Sequence, residues 1–478
     1  MLLKLKSFFS KLLPPGSAIK NVVILTGGTV AAQAINLFSS PVLSRLYSPA
    51  DYGILALFTS VLGILGGFSG LSYHLAILLP EDEDCSLSLL FLSIFIQTVI
   101  TLGLFFLVAI LSRDFFNAMG WEYLFYYRWL IPIGFFASGL YTFLTYYALR
   151  LKNYPVLSKT KITQKLAGTA VMIMLAMAEY KPVGLLVGSI IALSGGVIKI
   201  SKSCLSKAKI NSIRLAGMAR AAYRYKNFPL FQMWGSQMNI LSLHLTPLII
   251  MPMFSAEIIG WYSFSLRILH LPMTFIGQSL GQVFFQTGSV SYREGNLGKV
   301  AQKFISSLIV ISTLPFAFLA IIGPEFFSVI FGKNWFGAGV LTTILVPFLW
   351  VQFIASPVSV VFLICEKQKL LVRIQSLLLA GEVLVLLLGK GMLFVHFFVI
   401  YSAVKTFLYF LYLFFIIRIC QVTLGPVLKN LLTEIALTIL LVAPFLLIDK
   451  SFFIKLTYFC GVIVFWIFRV KNKVLLNL

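Results

Sequence analysis

Polar side chains recur at helical spacing inside one long apolar stretch, SFSLRILHLPMTFIGQSLGQVFFQ at 263–286. Arg267 and His270 lie one turn apart near its start. The other polar members follow the same spacing of three or four residues: Ser263, Thr274, Gln278 and Gln282. This pattern predicts one polar face on a single helix. Such a face must meet water or polar partners, because unsatisfied polar groups in hydrocarbon cost several kcal/mol.

Arg267 has two interpretations. A guanidinium binds phosphate through a planar fork, so Arg267, with His270 adding positive potential, is predicted to contact an anion in a wet cavity. Alternatively, Arg267 pairs with an acid or with helix-end carbonyls, or reaches the membrane interface. Arg45 lies at the outer end of the first predicted span, where it either lines the mouth of the cavity or anchors its helix.

Two further charges of opposite sign lie within apolar stretches. Lys405 is interpreted either as a cavity cation or as the partner of Glu382. Glu382, the only acid deep in a predicted span by this reading, is either a site for a coupling ion (H⁺ or Na⁺) or the counter-ion of Lys405.

Polar stripes also mark two other apolar stretches. One runs through the first predicted span and comprises Thr26, Thr29, Gln33, Asn36, Ser40 and Ser44; another, in the seventh, comprises Gln232, Ser236 and Asn239. Together with the stripe at 263–282, they are predicted to wall a central cavity.

The composition requires these stripes to sit in a membrane. The 478 residues are 59% hydrophobic and 11% charged, with a mean hydropathy of +0.97, whereas soluble domains carry about 25% charged residues. We predict an all-α polytopic membrane protein with about fourteen transmembrane helices. The predicted spans are 20–44, 52–79, 86–111, 124–148, 156–178, 183–200, 228–253, 258–286, 301–330, 338–364, 371–395, 398–418, 427–448 and 452–469.

Lysine and arginine are distributed unevenly between the two sides of these spans. Of the 38, 28 fall on the side of the N-terminus, 8 on the other side, and two within spans. Because basic residues favour the cytoplasmic side, both termini are predicted to be cytoplasmic. The formal net charge of +23 is therefore explained by basic residues in the connections on the cytoplasmic side, and no nucleic-acid partner is expected.

Two short sequences repeat at corresponding places. YSPADYGILAL at 47–57 aligns without gaps to FSAEIIGWYSF at 254–264, with Gly53 opposite Gly260. We predict two six-helix lobes related as a parallel repeat, with the substrate site between them. The predicted organisation is an amphipathic cytoplasmic segment at 1–19, lobes at 20–200 and 228–418, a basic linker at 201–227, and two additional helices with a short basic tail at 427–478.

The sequence contains no motif for catalysis, metal binding or nucleotide binding. The five cysteines form no metal-binding spacing, and no nucleophile, zinc or P-loop motif is present. No catalytic residue, metal or cofactor is predicted.

Three pieces of the chain resemble one family: SRLYSPADYGILALF…LSYHLAILLPEDED at 44–84, ALRLKNYPVLSKTKITQ at 148–164, and the stretch at 263–286. They are similar to polysaccharide flippases of the MOP (multidrug/oligosaccharidyl-lipid/polysaccharide) superfamily, and specifically to the Wzx-like branch.

The resemblance implies a V-shaped, two-lobed bundle that works by alternating access. It also implies a cationic cavity for the pyrophosphate and sugars of an undecaprenyl-linked O-antigen repeat unit, moved from the cytoplasmic to the periplasmic leaflet of the bacterial inner membrane. The lipid tail is expected to stay among membrane lipids. A monomer is expected, with a polysaccharide polymerase and a chain-length regulator as candidate partners.

Two alternatives stay open. A MATE-like drug or cation antiporter of the same superfamily should have an acidic cavity, whereas the candidates here are mostly basic. An integral-membrane polysaccharide polymerase or ligase usually has a large outer loop with catalytic Arg and His, and the sequence contains no loop of that size.

Overall fold

Long apolar runs fold into helices because each backbone N–H and C=O inside a membrane must find its partner within the same segment. The computed structural model describes residues 18–206, 214–447 and 452–475. Within these ranges the regular structure is helical and includes no strand. Nine of the described helices are long and apolar enough to cross a membrane. The chain is therefore a multi-pass, all-α membrane protein, and the total of about fourteen spans stays a prediction.

Backbone contacts divide the chain into two compact units, and the first is Met1–Gly260. Its described helices are α1 (Ala18–Leu46), α2 (Pro49–Gly66), α3 (Glu83–Ile110), α4 (Arg113–Ala118), α5 (Glu122–Tyr127), α6 (Leu130–Arg150), α7 (Tyr154–Met177), α8 (Val183–Ser194), α9 (Val197–Leu205), α10 (Leu215–Arg224), α11 (Met233–Ile250) and the start of α12 (Ala256–Leu269). Within this unit, α7 packs along both α1 and α8.

The second unit is Trp261–Leu478. It holds the rest of α12 and α13 (Gln278–Arg293), α14 (Leu297–Phe331), α15 (Phe336–Val358), α16 (Val361–Ile364), α17 (Gln368–Leu388), α18 (Phe394–Cys420), α19 (Leu424–Leu447) and α20 (Phe452–Val470). Here α15 packs along α14 and α18, and α17 packs along α18. The ring of Phe264 anchors α12 in this unit, with its centroid 4.2 Å from that of Trp335.

The second span differs from the prediction. The sequence predicts a continuous helix at 52–79, but α2 ends at Gly66, and 3₁₀ turns follow over Ser69–Leu78. Residues 70–72 adopt left-handed backbone angles, with φ between 46° and 63°. The prediction of one unbroken helix is therefore wrong here.

The side chain of Gln97 on α3 explains the break. Its Oε1 accepts hydrogen bonds from the Ser69 hydroxyl at 3.0 Å and from the Gly70 N–H at 3.1 Å, and its Nε2 donates to the Phe135 carbonyl at 2.7 Å. These bonds satisfy a backbone N–H that the broken helix exposes, so the left-handed turn is tolerated in an apolar interior.

The division into units also differs from the predicted lobes. α11, which the prediction assigns to the lobe at 228–418, packs on α2 within the first unit, where Gln237 Nε2 donates to the Ile64 carbonyl at 2.9 Å. The predicted linker at 201–227 contains the end of α9 and all of α10. Residues 1–17 and 207–213 lie outside the described residues, and so does most of the predicted amphipathic segment at 1–19.

Candidate functional site

The helix that carries Arg267 is interrupted. The sequence predicts one helix at 258–286, whereas α12 ends at Leu269 and a π-helical turn over Met273–Gly277 precedes α13. Pro272 has no N–H to donate, so it cannot continue the regular hydrogen-bond ladder. Because a π turn closes on residue i+5, it rotates everything that follows around the helix axis.

The π turn interrupts the predicted six-residue polar face beyond His270, and the roles of Thr274, Gln278 and Gln282 remain predictions. The Thr274 hydroxyl donates to the Leu271 carbonyl at 2.9 Å, and Gln282 is exposed. The side chain of Gln278 lies outside the described part of the structure. Arg267 and His270 remain together, half-buried, at the end of α12.

Arg267 is a half-buried cation. Among the residues that the structure describes, no side chain forms a hydrogen bond or an ion pair with its guanidinium. A desolvated arginine has five N–H donors that require acceptors. The arrangement is suited to an anion that comes from outside this part of the chain.

Glu382 and Lys405 form an ion pair within the second unit. Lys405 Nζ lies 2.8 Å from Glu382 Oε2. Both residues are buried: Lys405 is 8% exposed and Glu382 is 2% exposed. Three aromatic rings surround the ammonium group, with centroids 5.7–6.0 Å away, on Phe348, Tyr401 and Tyr409. The structure thus brings together the two charges that the sequence analysis considered as partners.

Hydroxyl and amide groups extend this pair into a buried polar network. Tyr401 donates its hydroxyl hydrogen to Glu382 Oε1 at 3.2 Å, and its oxygen lies 3.2 Å from the hydroxyl of Tyr262. On the other side of Lys405, Gln352 Nε2 donates to the Tyr409 hydroxyl at 2.8 Å. His270 lies beside Gln352 and within electrostatic range of Lys405. The network therefore reaches the end of the helix that carries Arg267.

The first unit has a separate polar face between α1 and α7. Lys161 Nζ, which is half-buried on α7, donates to the Thr29 hydroxyl at 2.9 Å. Further along α1, Asn36 Nδ2 donates to Gln33 Oε1 at 3.3 Å, and both residues are half-buried. The hydrogen-bond partner of Lys161 is neutral, and among the described residues no acid forms an ion pair with its ammonium group.

Two other predicted site residues of the first unit have different surroundings. Arg45 is exposed at the C-terminal end of α1, and its side chain interacts with another group of the chain. The side chain of Asn239 lies outside the described residues. The roles of both residues remain predictions.

Sequence reasoning missed Lys161 and Glu434. Lys161 lies within the predicted span at 156–178 but entered only the count of basic residues on the side of the N-terminus, although Pro155, typical of a first helical turn, places it about two turns inside the helix. Glu434 on α19 is 4% exposed and receives hydrogen bonds from Arg469 Nη2 at 2.6 Å and Lys473 Nζ at 3.2 Å. Glu382 is thus not the only acid deep in a predicted span.

In the described ranges, no group of three His, Cys, Asp or Glu residues is placed so that it could hold a metal ion. The candidate residues are the guanidinium of Arg267 and the polar network around Lys405 in the second unit and, in the first unit, the face around Lys161.

The chain matches known proteins in sequence pattern and in fold. The family described as "Polysaccharide biosynthesis protein" matches residues 42–339. A structure of the lipid II flippase MurJ in an inward closed conformation superposes with a TM-score of 0.69 at 13% identity, covering 95% of this chain and 100% of that one.

A second similar structure is a multidrug resistance MATE family transporter of the MOP superfamily in an inward-facing conformation. It gives a TM-score of 0.55 at 14% identity, covering 84% of this chain and 98% of the other. At these identities, both similarities concern the fold alone. No curated protein matches the chain.

Proposed function

The chain belongs to the polysaccharide biosynthesis protein family, and we propose that it is a flippase that moves a lipid-linked oligosaccharide across the membrane. The proposed cargo is an O-antigen or related polysaccharide repeat unit on undecaprenyl pyrophosphate. The proposed direction is from the cytoplasmic to the periplasmic leaflet of the bacterial inner membrane. In this proposal both termini are cytoplasmic, and the chain is a transporter and not an enzyme.

One observation carries the proposal: Arg267 is a half-buried arginine with no hydrogen bond or ion pair to the described residues. A headgroup of this class presents two phosphates and several sugar hydroxyls. A guanidinium pairs with phosphate oxygens through two parallel hydrogen bonds, and the fork adds geometric selectivity to charge. One turn after Arg267, the half-buried His270 provides a ring nitrogen for sugar hydroxyls, whereas the network that continues to Tyr262 is buried and hydrogen-bonded internally.

The physical task of such a protein is to shelter the charged headgroup while the tail stays in lipid. Moving an unprotected pyrophosphate through the hydrocarbon layer would cost many kcal/mol, because ions lose their hydration there. A cavity with fixed cations and polar side chains replaces that hydration. In the second unit, the half-buried Arg267 is a cation suited to this task.

The antiporter alternative is less well supported by the same residues. A cationic drug would need a carboxylate that is free to receive it, whereas Glu382 is bound by Lys405 and Glu434 by Arg469 and Lys473. Whether H⁺ or Na⁺ drives the cycle is not part of the proposal.

The direct test is transport by the purified protein in proteoliposomes. A short-chain, fluorescent, pyrophosphate-linked oligosaccharide lipid is placed in one leaflet, and its appearance in the other is followed by an impermeant quencher. We expect movement well above that of protein-free vesicles and competition by unlabelled lipid-linked substrate. Uptake of a cationic dye against a proton gradient, without movement of the lipid, would instead identify an antiporter.

A further inference from the structure

The connection between the predicted spans at 183–200 and 228–253 contains the helix α10 (Leu215–Arg224). The distribution of basic residues predicts that this connection faces the cytoplasm. Along its sequence, LAGMARAAYR, small residues recur at helical spacing on one side, and arginines and larger side chains recur on the other. A helix with this pattern is typical of a membrane surface, where its two sides meet different environments.

The small side of α10 packs on the first unit. Ala221 is buried there, and a Cβ added to Gly217 would lie 3.2 Å from the hydroxyl oxygen of Ser88 on α3. The Tyr73 hydroxyl donates a hydrogen bond to the Ala222 carbonyl at 3.1 Å. These contacts fix the rotation of α10 about its own axis, so the direction of its other side is also fixed.

The other side of α10 is exposed and carries both cations and large apolar groups. Arg220 and Arg224 are neighbours on the helix surface, because they are four residues apart. Leu215 is 81% exposed and Tyr223 is 74% exposed, although both side chains gain free energy when they leave water. We call this surface the basic face, and its members are Arg214, Leu215, Arg220, Tyr223, Arg224 and Lys226.

The cations of the basic face form no ion pair with an acid among the residues that the structure describes. Arg220 Nε donates within its own helix, at 3.4 Å from the Ala216 carbonyl oxygen. Lys226 Nζ lies 4.4 Å from the centroid of the Tyr223 ring. A guanidinium has five N–H donors and an ammonium group has three, so most of these donors are available to acceptors that lie outside this part of the chain.

Membrane lipids are the partner that this combination of groups fits. α10 ends at Arg224, directly before the predicted span that begins at residue 228, so the basic face is held at the membrane surface. There Leu215 and Tyr223 can enter the boundary between headgroups and acyl chains, while the arginines and Lys226 reach phosphates. We propose that the basic face binds anionic phospholipid headgroups of the cytoplasmic leaflet. This binding concerns the surrounding membrane, so it is independent of the cargo.

The test follows α10 directly in the intact protein. The purified chain is placed in nanodiscs of phosphatidylcholine, with or without phosphatidylglycerol, and peptides covering 214–226 are followed by hydrogen–deuterium exchange. Because bound headgroups stabilise the folded helix, we expect its amides to exchange about tenfold more slowly in the anionic nanodiscs. Equal exchange in the two kinds of nanodisc would overturn the proposal, and this comparison needs no variant.

Paired variants show whether the arginines carry the binding. Arg220→Gln with Arg224→Gln removes two charges from the basic face, and the apparent affinity for phosphatidylglycerol should fall about thirtyfold (~2 kcal/mol), enough to abolish the slowing. The matched control is Arg293→Gln with Lys299→Gln, which removes the same charge from exposed residues on the same predicted side of the membrane. The control should keep the slowing. If both pairs of variants lose it equally, net charge and not the basic face attracts the lipid, and the proposal fails.

Salt and native membranes separate the remaining explanations. Raising the salt from about 0.1 M to about 1 M shortens the Debye length from roughly 10 Å to about 3 Å, so a phosphate contact should lose most of the slowing. Slowing that persists at high salt would assign it to insertion of Leu215 and Tyr223 among acyl chains and would overturn the role of the headgroups. Slowing in native membrane vesicles but in neither kind of nanodisc would identify a protein partner instead.

Discussion

Lys405 Nζ on α18 lies 2.8 Å from Glu382 Oε2 on α17, and both residues are buried. The pair links two helices that are neighbours in sequence and joins the aromatic rings around Lys405 to the polar network. A buried ion pair of this kind adds little net stability while it is intact, but removing one partner is costly because a charge remains in an apolar environment.

The first prediction concerns this pair. We expect Lys405→Met or Glu382→Gln alone to destabilise the protein, by about 3–5 kcal/mol where a charge is left unpaired. The double variant should recover most of that loss. Thermal unfolding in detergent measures the stability of the single and double variants. The exposed pair Lys181–Glu179 is the control, since its removal should change the melting temperature little. A double variant as unstable as the sum of the single ones would contradict this account.

The second prediction concerns Arg267 as an anion contact. Arg267→Ala should abolish lipid movement in proteoliposomes while the amount of folded protein stays normal. Arg267→Lys should restore only part of the activity, because lysine keeps the charge and loses the fork. Arg293→Ala, an exposed arginine on α13, should transport normally. Normal transport by Arg267→Ala would show that the guanidinium does not hold the cargo.

The third prediction concerns Lys161. Lys161→Gln removes a half-buried charge whose bonded partner is the Thr29 hydroxyl. We expect the KM for the lipid-linked substrate to rise roughly ten- to a hundredfold, which corresponds to the 1.5–3 kcal/mol of a hydrogen bond to a charged group. Initial rates at varied substrate density measure it. Lys159→Gln, exposed on the same helix, should leave the KM unchanged. Equal KM values in the two variants would exclude Lys161 from the binding surface.

The fourth prediction concerns the last two described helices. Glu434 holds Arg469 through two hydrogen bonds, at 2.6 and 3.2 Å, so Glu434→Gln leaves cations of α20 without a buried acceptor. We expect faster proteolysis in the connection between α19 and α20 and a lower melting temperature, because breaking a buried pair costs about 3–5 kcal/mol. Glu294→Gln, at an exposed helix end, serves as the control. Unchanged proteolysis would mean that packing alone holds α20 in place.

Sequence reasoning found features that depend on local pattern. Apolar length predicted a membrane protein of many helices, and two opposite charges in apolar stretches, Glu382 and Lys405, suggested a pair. The breaks after Gly66 and Leu269 were missed because they depend on distant partners or on local hydrogen-bond competition. Gln97, which satisfies the turn at Ser69–Leu78, lies on a different helix and gives no periodic signal.

The repeat at 47–57 and 254–264 also shows that distant contacts are not evident from the sequence. Its alignment suggested two similar halves, and this similarity could be read directly from the residues. A Cβ on Gly53 would collide with the Ala256 carbonyl, and one on Gly260 with the Pro49 carbonyl. This proximity could not be read from the residues, because a sequence match reveals equivalence and not proximity. The sequence does not single out Lys161 for a related reason, since a charge count weighs sequence position and ignores the side chain's neighbours.

The pairing of Glu382 with Lys405 also has an electrical consequence. One elementary charge moved through a membrane potential of 100 mV exchanges about 2.3 kcal/mol with the field. Two opposite charges held 2.8 Å apart move as a dipole and contribute almost no gating charge. If the proposed cargo is moved, we expect any voltage dependence to come from its negative charges and not from this ion pair.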